Sequence, residues 1–144
     1  MSQQQNWAWI SAGVAGFAGL ALLVAACTPP EPAPVSGRAL FVEFCQVCHG
    51  AGGQGDGPMA RDLPKKPADL TQISRRNGGT FPLNQVMSTI DGYTRKNDHG
   101  SIMPEMGLQL QGGRTVLIDA GDGIETPVPE SLLAMAEYLR TLQK

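Results

Sequence analysis

The chain has 144 residues, a net charge of −2 at pH 7 and three cysteines. This length suits one small domain with a short additional segment. The slightly acidic charge argues against a nucleic-acid-binding protein, whose footprint would be basic. Glycine (18) and proline (11) are abundant and aromatic residues are sparse, so we expect a loop-rich domain with few elements. A domain of this size gains stability from a large apolar insert.

Residues 1–27 have the character of an export segment. No charged side chain precedes Glu31, and residues 7–26 are apolar or small. A stretch of this length can cross a bilayer. Trp7 and Trp9 lie where interfacial aromatic residues are found in membrane spans. The segment therefore predicts either a signal peptide or a membrane anchor.

The end of this segment, Val24-Ala25-Ala26-Cys27, resembles the lipobox of bacterial lipoproteins, in which the cysteine becomes the lipidated N-terminus. We favour a lipoprotein on this basis. An uncleaved transmembrane anchor and ordinary cleavage after Ala26 remain alternatives, since Val24 replaces the favoured leucine and no Lys or Arg precedes the apolar stretch. All three outcomes predict a domain exported to the periplasm or to the extracytoplasmic face of a bacterial membrane.

Residues 28–35 contain four prolines. Such a run predicts an extended, polyproline-like spacer of about 3 Å per residue. It would hold a domain formed by residues 36–144 away from the membrane. Ser36 is a suitable N-cap for a first helix. Leu40, Phe41 and Phe44 give that helix an apolar face.

The first helix leads into Cys45-Gln46-Val47-Cys48-His49, which is the C-x-x-C-H pattern of c-type haem attachment. Positions i, i+3 and i+4 share one face of a helical turn. Cys45 and Cys48 can therefore each form a thioether to a haem vinyl group while His49 binds the iron. The motif predicts one covalent haem c.

Two other interpretations of the cysteine pair fit less well. A redox dithiol needs a thioredoxin-like strand–helix context, which is not apparent here. A structural zinc site needs four ligands. Beyond the motif, the chain offers one further cysteine, Cys27, and one further histidine, His99.

The stretch from Gly37 to His49 resembles the first helix of a class I cytochrome c. In that family a glycine and an aromatic residue four positions later meet the C-terminal helix, and Gly37 and Phe41 match them. The resemblance implies a mostly α-helical class I cytochrome c fold, with short helices and Gly/Pro-rich loops wrapped around the haem. It also implies a one-electron carrier rather than an enzyme.

The loop after the motif, residues 50–58, has five glycines, which allow close backbone approach or positive φ. Gly55–Ala60 and Pro67–Thr71 resemble segments found in many bacterial monohaem cytochromes. The carbonyl of Pro67 could accept a hydrogen bond from the His49 ring, which would fix the ring and raise the basicity of the ligand. Pro58 is the competing acceptor, and the sequence does not choose between them.

Residues 81–92 predict a core-facing helix, with proline near its start and glycine just past its end. Its apolar residues recur at i, i+3, i+4 and i+7: Leu83, Val86, Met87 and Ile90. Thr115–Asp119 and Ile124–Thr126 predict a small hairpin.

Residues 130–142 hold a helical period after Pro127 and Pro129. This segment resembles the C-terminal helix of class I cytochromes. The resemblance places Tyr138 near Gly37 and Phe41, where the two terminal helices cross.

A sixth ligand would keep the iron coordination fixed during electron transfer, and a soft thioether raises the potential. In class I cytochromes the axial methionine is commonly followed by proline, on a loop before the last helix. Met103-Pro104 matches this pattern. Met106 is the runner-up, Met59 is too close to the motif to be favoured, and His99 would give a bis-histidine haem.

Charged residues suggest two further roles. Arg75 and Arg76 either pair with the haem propionates or are simply solvated. Arg95 and Lys96, in the loop carrying the sixth ligand, are expected to help dock an acidic redox partner.

We expect a carrier between a donor and an acceptor that are themselves redox proteins. The alternatives are a haem-based sensor of a small ligand and a fixed cytochrome subunit of a dehydrogenase or oxidase.

Overall fold

The computed structural model describes residues 33–95, 102–111, 113–119, 121 and 123–144. These contain six α-helices: α1 (Gly37–Phe44), α2 (Gln46–His49), α3 (Ile73–Arg76), α4 (Leu83–Asp91), α5 (Gly107–Leu110) and α6 (Glu130–Thr141). Strands β1 (Thr115–Asp119) and β2 (Glu125–Pro129) form the sheet, and 3₁₀ turns occupy Pro58–Arg61, Leu70–Gln72 and Tyr93–Arg95. The predicted mostly α-helical fold of short helices is confirmed.

The predicted export segment and most of the proline-rich spacer lie outside the described residues. The proposed boundaries at residues 27 and 35 therefore stay predictions. Val35–Lys144 forms one compact unit. Within the described ranges, no helix combines the length and apolar character that a membrane crossing requires.

Helices α1 and α6 cross at a glycine, as the sequence predicted. The Ser36 side chain caps α1 by accepting a hydrogen bond from the Ala39 backbone N–H at 3.2 Å. A Cβ added to Gly37 would overlap the carbonyl oxygen of Ala134 and lie 2.9 Å from the Tyr138 Cβ. Phe41 is fully buried, and its ring centroid lies 5.3 Å from that of Tyr138. The glycine therefore sets how closely the two helices approach.

Helix α4 supplies the next part of the core. Three residues of its predicted apolar stripe are buried: Val86, Met87 and Ile90. Pro82 is the N-cap rather than the first helical residue, and Gly92 ends the helix in a left-handed conformation with φ 99°. The core also includes apolar residues of α5 and α6, namely Leu110, Leu132, Met135, Ala136 and Leu139.

The predicted hairpin is present and is joined to the start of α6. Strands β1 and β2 pair antiparallel, with Leu117 opposite Pro127. Pro127 and Pro129 both lie within β2, and Pro129 is also the N-cap of α6, so it introduces the last helix as expected. Arg114 donates two hydrogen bonds to Glu130, from Nη2 at 2.9 Å and from Nε at 3.1 Å. This pairing lowers the pKa of Glu130, whose carboxylate also accepts a hydrogen bond from the Val35 backbone N–H. One carboxylate thus joins the hairpin base, α6 and the first residue of the unit.

We expect Gly37→Ala to destabilise the folded domain by about 1–3 kcal/mol, because the added methyl group would overpack the α1–α6 crossing. Denaturant unfolding of the haem-loaded protein measures the change. Gly52→Ala is the matched control, because its added Cβ would meet only the Gln54 side chain, at 3.9 Å. Equal stability for the two variants would contradict the tight crossing.

Candidate haem site

A cavity of about 330 Å³ lies between the haem motif, α3, α4, α6 and the loop before α5. Cys45, His49 and Met103 all line it. Most of its remaining wall is apolar, formed by Leu70, Ile73, Pro82, Val86, Ile90 and Leu139. A larger depression of about 430 Å³ shares Pro82 and Gln85 with it but contains none of the predicted haem-binding residues. The smaller cavity is therefore the candidate site.

The ring of His49 is buried and fixed by the backbone. Its Nδ1 donates to the carbonyl oxygen of Ala68 at 2.9 Å, which leaves Nε2 as the nitrogen available to a metal. Burial lowers the pKa of His49, and the hydrogen bond to Ala68 opposes that change in part. The neutral imidazole favoured by burial is the form that binds a metal ion.

The predicted acceptors for the His49 ring were both wrong. Pro58 begins an exposed 3₁₀ turn. The Pro67 carbonyl faces Gly55, since a Cβ added to that glycine would overlap this oxygen. The acceptor is therefore the carbonyl of the next residue, Ala68. Because the register of a loop depends on its tertiary contacts, sequence found the correct segment but missed the acceptor by one position.

The two motif cysteines are half-buried and unbonded to each other. Cys45 lines the cavity, with its Sγ 4.0 Å from the Sδ of Met135 on α6. Burial, reinforced by the neighbouring Cys48, raises the pKa of the Cys45 thiol to about 11. A redox-active dithiol needs a depressed thiol pKa, so this environment disfavours the dithiol interpretation. No group of three or more Cys, His, Asp or Glu side chains suited to hold a metal ion occurs among the described residues.

The candidate sixth ligands are placed differently. Met103 is half-buried and lines the cavity that His49 lines. Met106 is buried in the core, where its backbone N–H donates to the Ile90 carbonyl at 3.0 Å. Met59 is exposed on its 3₁₀ turn, and His99 lies outside the described residues. The geometry supports Met103 over Met106, and the ligand assignment itself stays a prediction.

The two arginines predicted as possible partners of the haem propionates also differ in position. Arg76 lines the cavity and donates from Nη2 to the Asp69 carbonyl at 2.9 Å. Arg75 donates to the Gln72 side chain at 3.3 Å and is not part of the cavity wall. Arg76 is therefore the better placed of the two to meet an anionic haem carboxylate.

Sequence reasoning missed three polar wall residues, Asn77, Gln85 and Thr89. Gln85 and Thr89 are spaced i, i+4 on α4, beside its apolar stripe, and that spacing was the available signal. The predicted role of Arg95 and Lys96 in docking stays a prediction. Lys96 lies outside the described residues, and the structure describes only the backbone of Arg95.

These residues fit a haem. A fixed imidazole, a cysteine and a thioether share one largely apolar cavity, with an arginine at its wall. Such a site on a fold of short helices defines a c-type haem protein.

Comparison with known families agrees with this class. The profile of the Cytochrome c family matches residues 35–143, and the chain belongs to this family. It therefore binds haem c covalently, Cys45 and Cys48 being the cysteines of its C-x-x-C-H motif, and functions in haem-based electron transfer. Comparisons with curated proteins and with solved structures gave no match.

Replacement of Gly55 tests whether the glycine loop must lie close to the segment that holds the His49 ring. It has φ 74°, and a side chain would overlap the Pro67 carbonyl. Gly78 has φ 66° and no atom within 4 Å of an added Cβ. We expect Gly78→Ala to cost about 1–2 kcal/mol from backbone strain alone, and Gly55→Ala to cost about 1–3 kcal/mol more from overpacking.

The free energy of unfolding, measured by denaturant titration of both variants, checks this difference. Equal losses would mean that the contact between Gly55 and Pro67 is unimportant and that backbone strain alone matters.

Proposed function

We propose that this cytochrome is a one-electron carrier whose haem iron is bound by His49 and Met103. The observation that carries the proposal is that both side chains line one cavity together with Cys45. The haem, when bound, supplies the one-electron chemistry. The chain orients the His49 ring through Ala68, excludes water with its apolar wall and offers a thioether that favours the reduced state.

We further propose that the domain works at the extracytoplasmic face of a bacterial membrane and is tethered through its N-terminus. The apolar stretch, the lipobox-like sequence ending at Cys27 and the proline-rich spacer support this location. Its donor and acceptor would be redox proteins in the same compartment. Arg95 and Lys96 remain our candidates for contacts with an acidic partner.

Replacement of the two candidate methionines tests the ligand assignment. We expect Met103→Leu to abolish the weak ferric absorption band, at the red end of the visible spectrum, that marks a thioether–iron bond. The variant should also bind carbon monoxide in its ferrous form, because a leucine cannot bind iron. Met106→Leu is the matched control: it changes a buried methionine to a residue of similar volume and should keep the band.

The opposite pattern, with the band lost in Met106→Leu and kept in Met103→Leu, would reassign the sixth ligand to Met106. A native ferrous protein that binds carbon monoxide at neutral pH would instead favour the sensor. Purification with a tightly bound oxidoreductase would favour a fixed subunit over a mobile carrier.

Substitution of Cys27 tests the tether. We expect Cys27→Ser to remove incorporation of a labelled fatty acid, because serine cannot form the thioether to the lipid. Membrane and soluble fractions, compared by their haem content, show whether attachment changes with lipidation. Fatty-acid incorporation unaffected by Cys27→Ser would exclude lipidation at this residue, and membrane attachment without lipid would favour the transmembrane anchor.

A further inference from the structure

Four consecutive carbonyls, those of residues 68–71, each accept a hydrogen bond from a different residue. His49 Nδ1 bonds to the first of them, on Ala68, and Arg76 Nη2 bonds to the second, on Asp69. The last two carbonyls, of Leu70 and Thr71, accept from residues beyond α6. We call residues 68–71 the carbonyl segment. Its position determines where the acceptor for the His49 ring lies.

Gln143 connects the carbonyl segment to two helices. Its Nε2 donates to the Leu70 carbonyl at 2.8 Å and to the Leu139 carbonyl at 2.7 Å. Its Oε1 accepts from the Ser74 backbone N–H at 2.8 Å. One amide orientation satisfies all three bonds, with donors meeting carbonyls and the acceptor meeting an N–H. The half-buried side chain thereby fixes the carbonyl segment relative to α3 and α6.

The remaining contacts extend this attachment along the segment. The Lys144 backbone N–H donates to the Thr71 carbonyl at 3.1 Å, and the Leu70 N–H donates to the Gly53 carbonyl at 2.7 Å. The Asp69 side chain accepts from the Thr71 N–H at 2.9 Å. Leu70 and Leu139 also line the cavity. Gln143 therefore joins two parts of the cavity wall behind the proximal histidine.

We propose that Gln143 is a positioning residue that sets the His49–Ala68 hydrogen bond and, through it, the reduction potential of the haem. The inference rests on the proposed function, because it requires His49 to be an iron ligand. A carbonyl that accepts a hydrogen bond from the non-coordinating nitrogen of a ligating imidazole makes that imidazole a stronger donor to the metal. A stronger donor stabilises ferric iron, so a well-held acceptor lowers the potential.

Two variants release the carbonyl segment in different ways. Gln143→Met keeps a side chain of similar length and removes all three hydrogen bonds. Gln143→Glu keeps the oxygen that accepts from Ser74 but removes both donors. Arg114→Gln is the control, because it weakens the pairing with Glu130 at the other end of α6 and leaves the carbonyl segment untouched.

Each variant is measured as the full-length, haem-loaded protein. We expect Gln143→Met, which adds no charge, to raise the midpoint potential, and Arg114→Gln to leave it unchanged. We also expect the Nδ1 proton of His49, followed by NMR, to exchange with solvent about five- to tenfold faster in both variants, corresponding to the loss of one net hydrogen bond. Unfolding measurements on the same samples show whether the control lost comparable stability. If one Gln143 variant fails to fold, proton exchange in the other still tests the positioning role.

Different outcomes would overturn the iron-ligand assignment and the positioning role of Gln143. A wild-type haem without histidine ligation overturns the ligand assignment and this inference together. Normal ligation with unchanged potential and unchanged proton exchange in the Gln143 variants overturns the positioning role alone. An equal rise in potential in Arg114→Gln would also overturn it, since general loss of stability would then explain the change.

Discussion

The hydrogen bond from His49 to the Ala68 carbonyl is the constraint on which the arrangement of the site depends. It fixes the ring that follows the two cysteines, and it requires a segment nineteen positions further along the chain to pass directly behind the haem motif. The glycine loop makes this possible, because Gly55 leaves room for the Pro67 carbonyl at a point where any side chain would overlap it. The segment is thereby held against the motif on one side and against the end of the chain on the other.

Helix α6 links this constraint to the rest of the core. At its middle it meets α1 across Gly37 and places Met135 against Cys45. Further along, Leu139 lines the cavity, and Gln143 follows the helix to hold the carbonyl segment. The burial of apolar area and the geometry of the site therefore depend on the same twelve-residue helix.

The sequence predicted the features that follow from local pattern. Residue spacing located the haem motif, the Ser36 cap, the α4 stripe and the hairpin, and the family resemblance located the Gly37–Tyr138 crossing. Prediction from the sequence failed where tertiary contacts determine which residues meet. The acceptor for His49 is Ala68 rather than either proline, because the Gly55 contact sets the direction of each carbonyl. The role of Gln143 had no local signal, since its partners in the carbonyl segment and α3 lie at residues 70 and 74. The choice of Arg76 over Arg75 likewise depends on which side of a single turn faces the cavity.

Glu130 has a mechanical consequence for any pull on the chain before residue 35, including a pull from the membrane tether that we propose. Its carboxylate holds the Val35 N–H, where the proline-rich spacer ends, and pairs with Arg114 at the base of the hairpin. Such a pull would act along two paths: the hydrogen bond to Glu130 at the start of α6 and, through Ser36, helix α1, which leads directly to Cys45. The residues of helix α6 that meet the haem site, Met135 and Leu139, lie about 8 Å and about 14 Å from Glu130 along the axis. The hydrogen bond to Glu130 would therefore share a load that would otherwise pass along α1 to the haem motif.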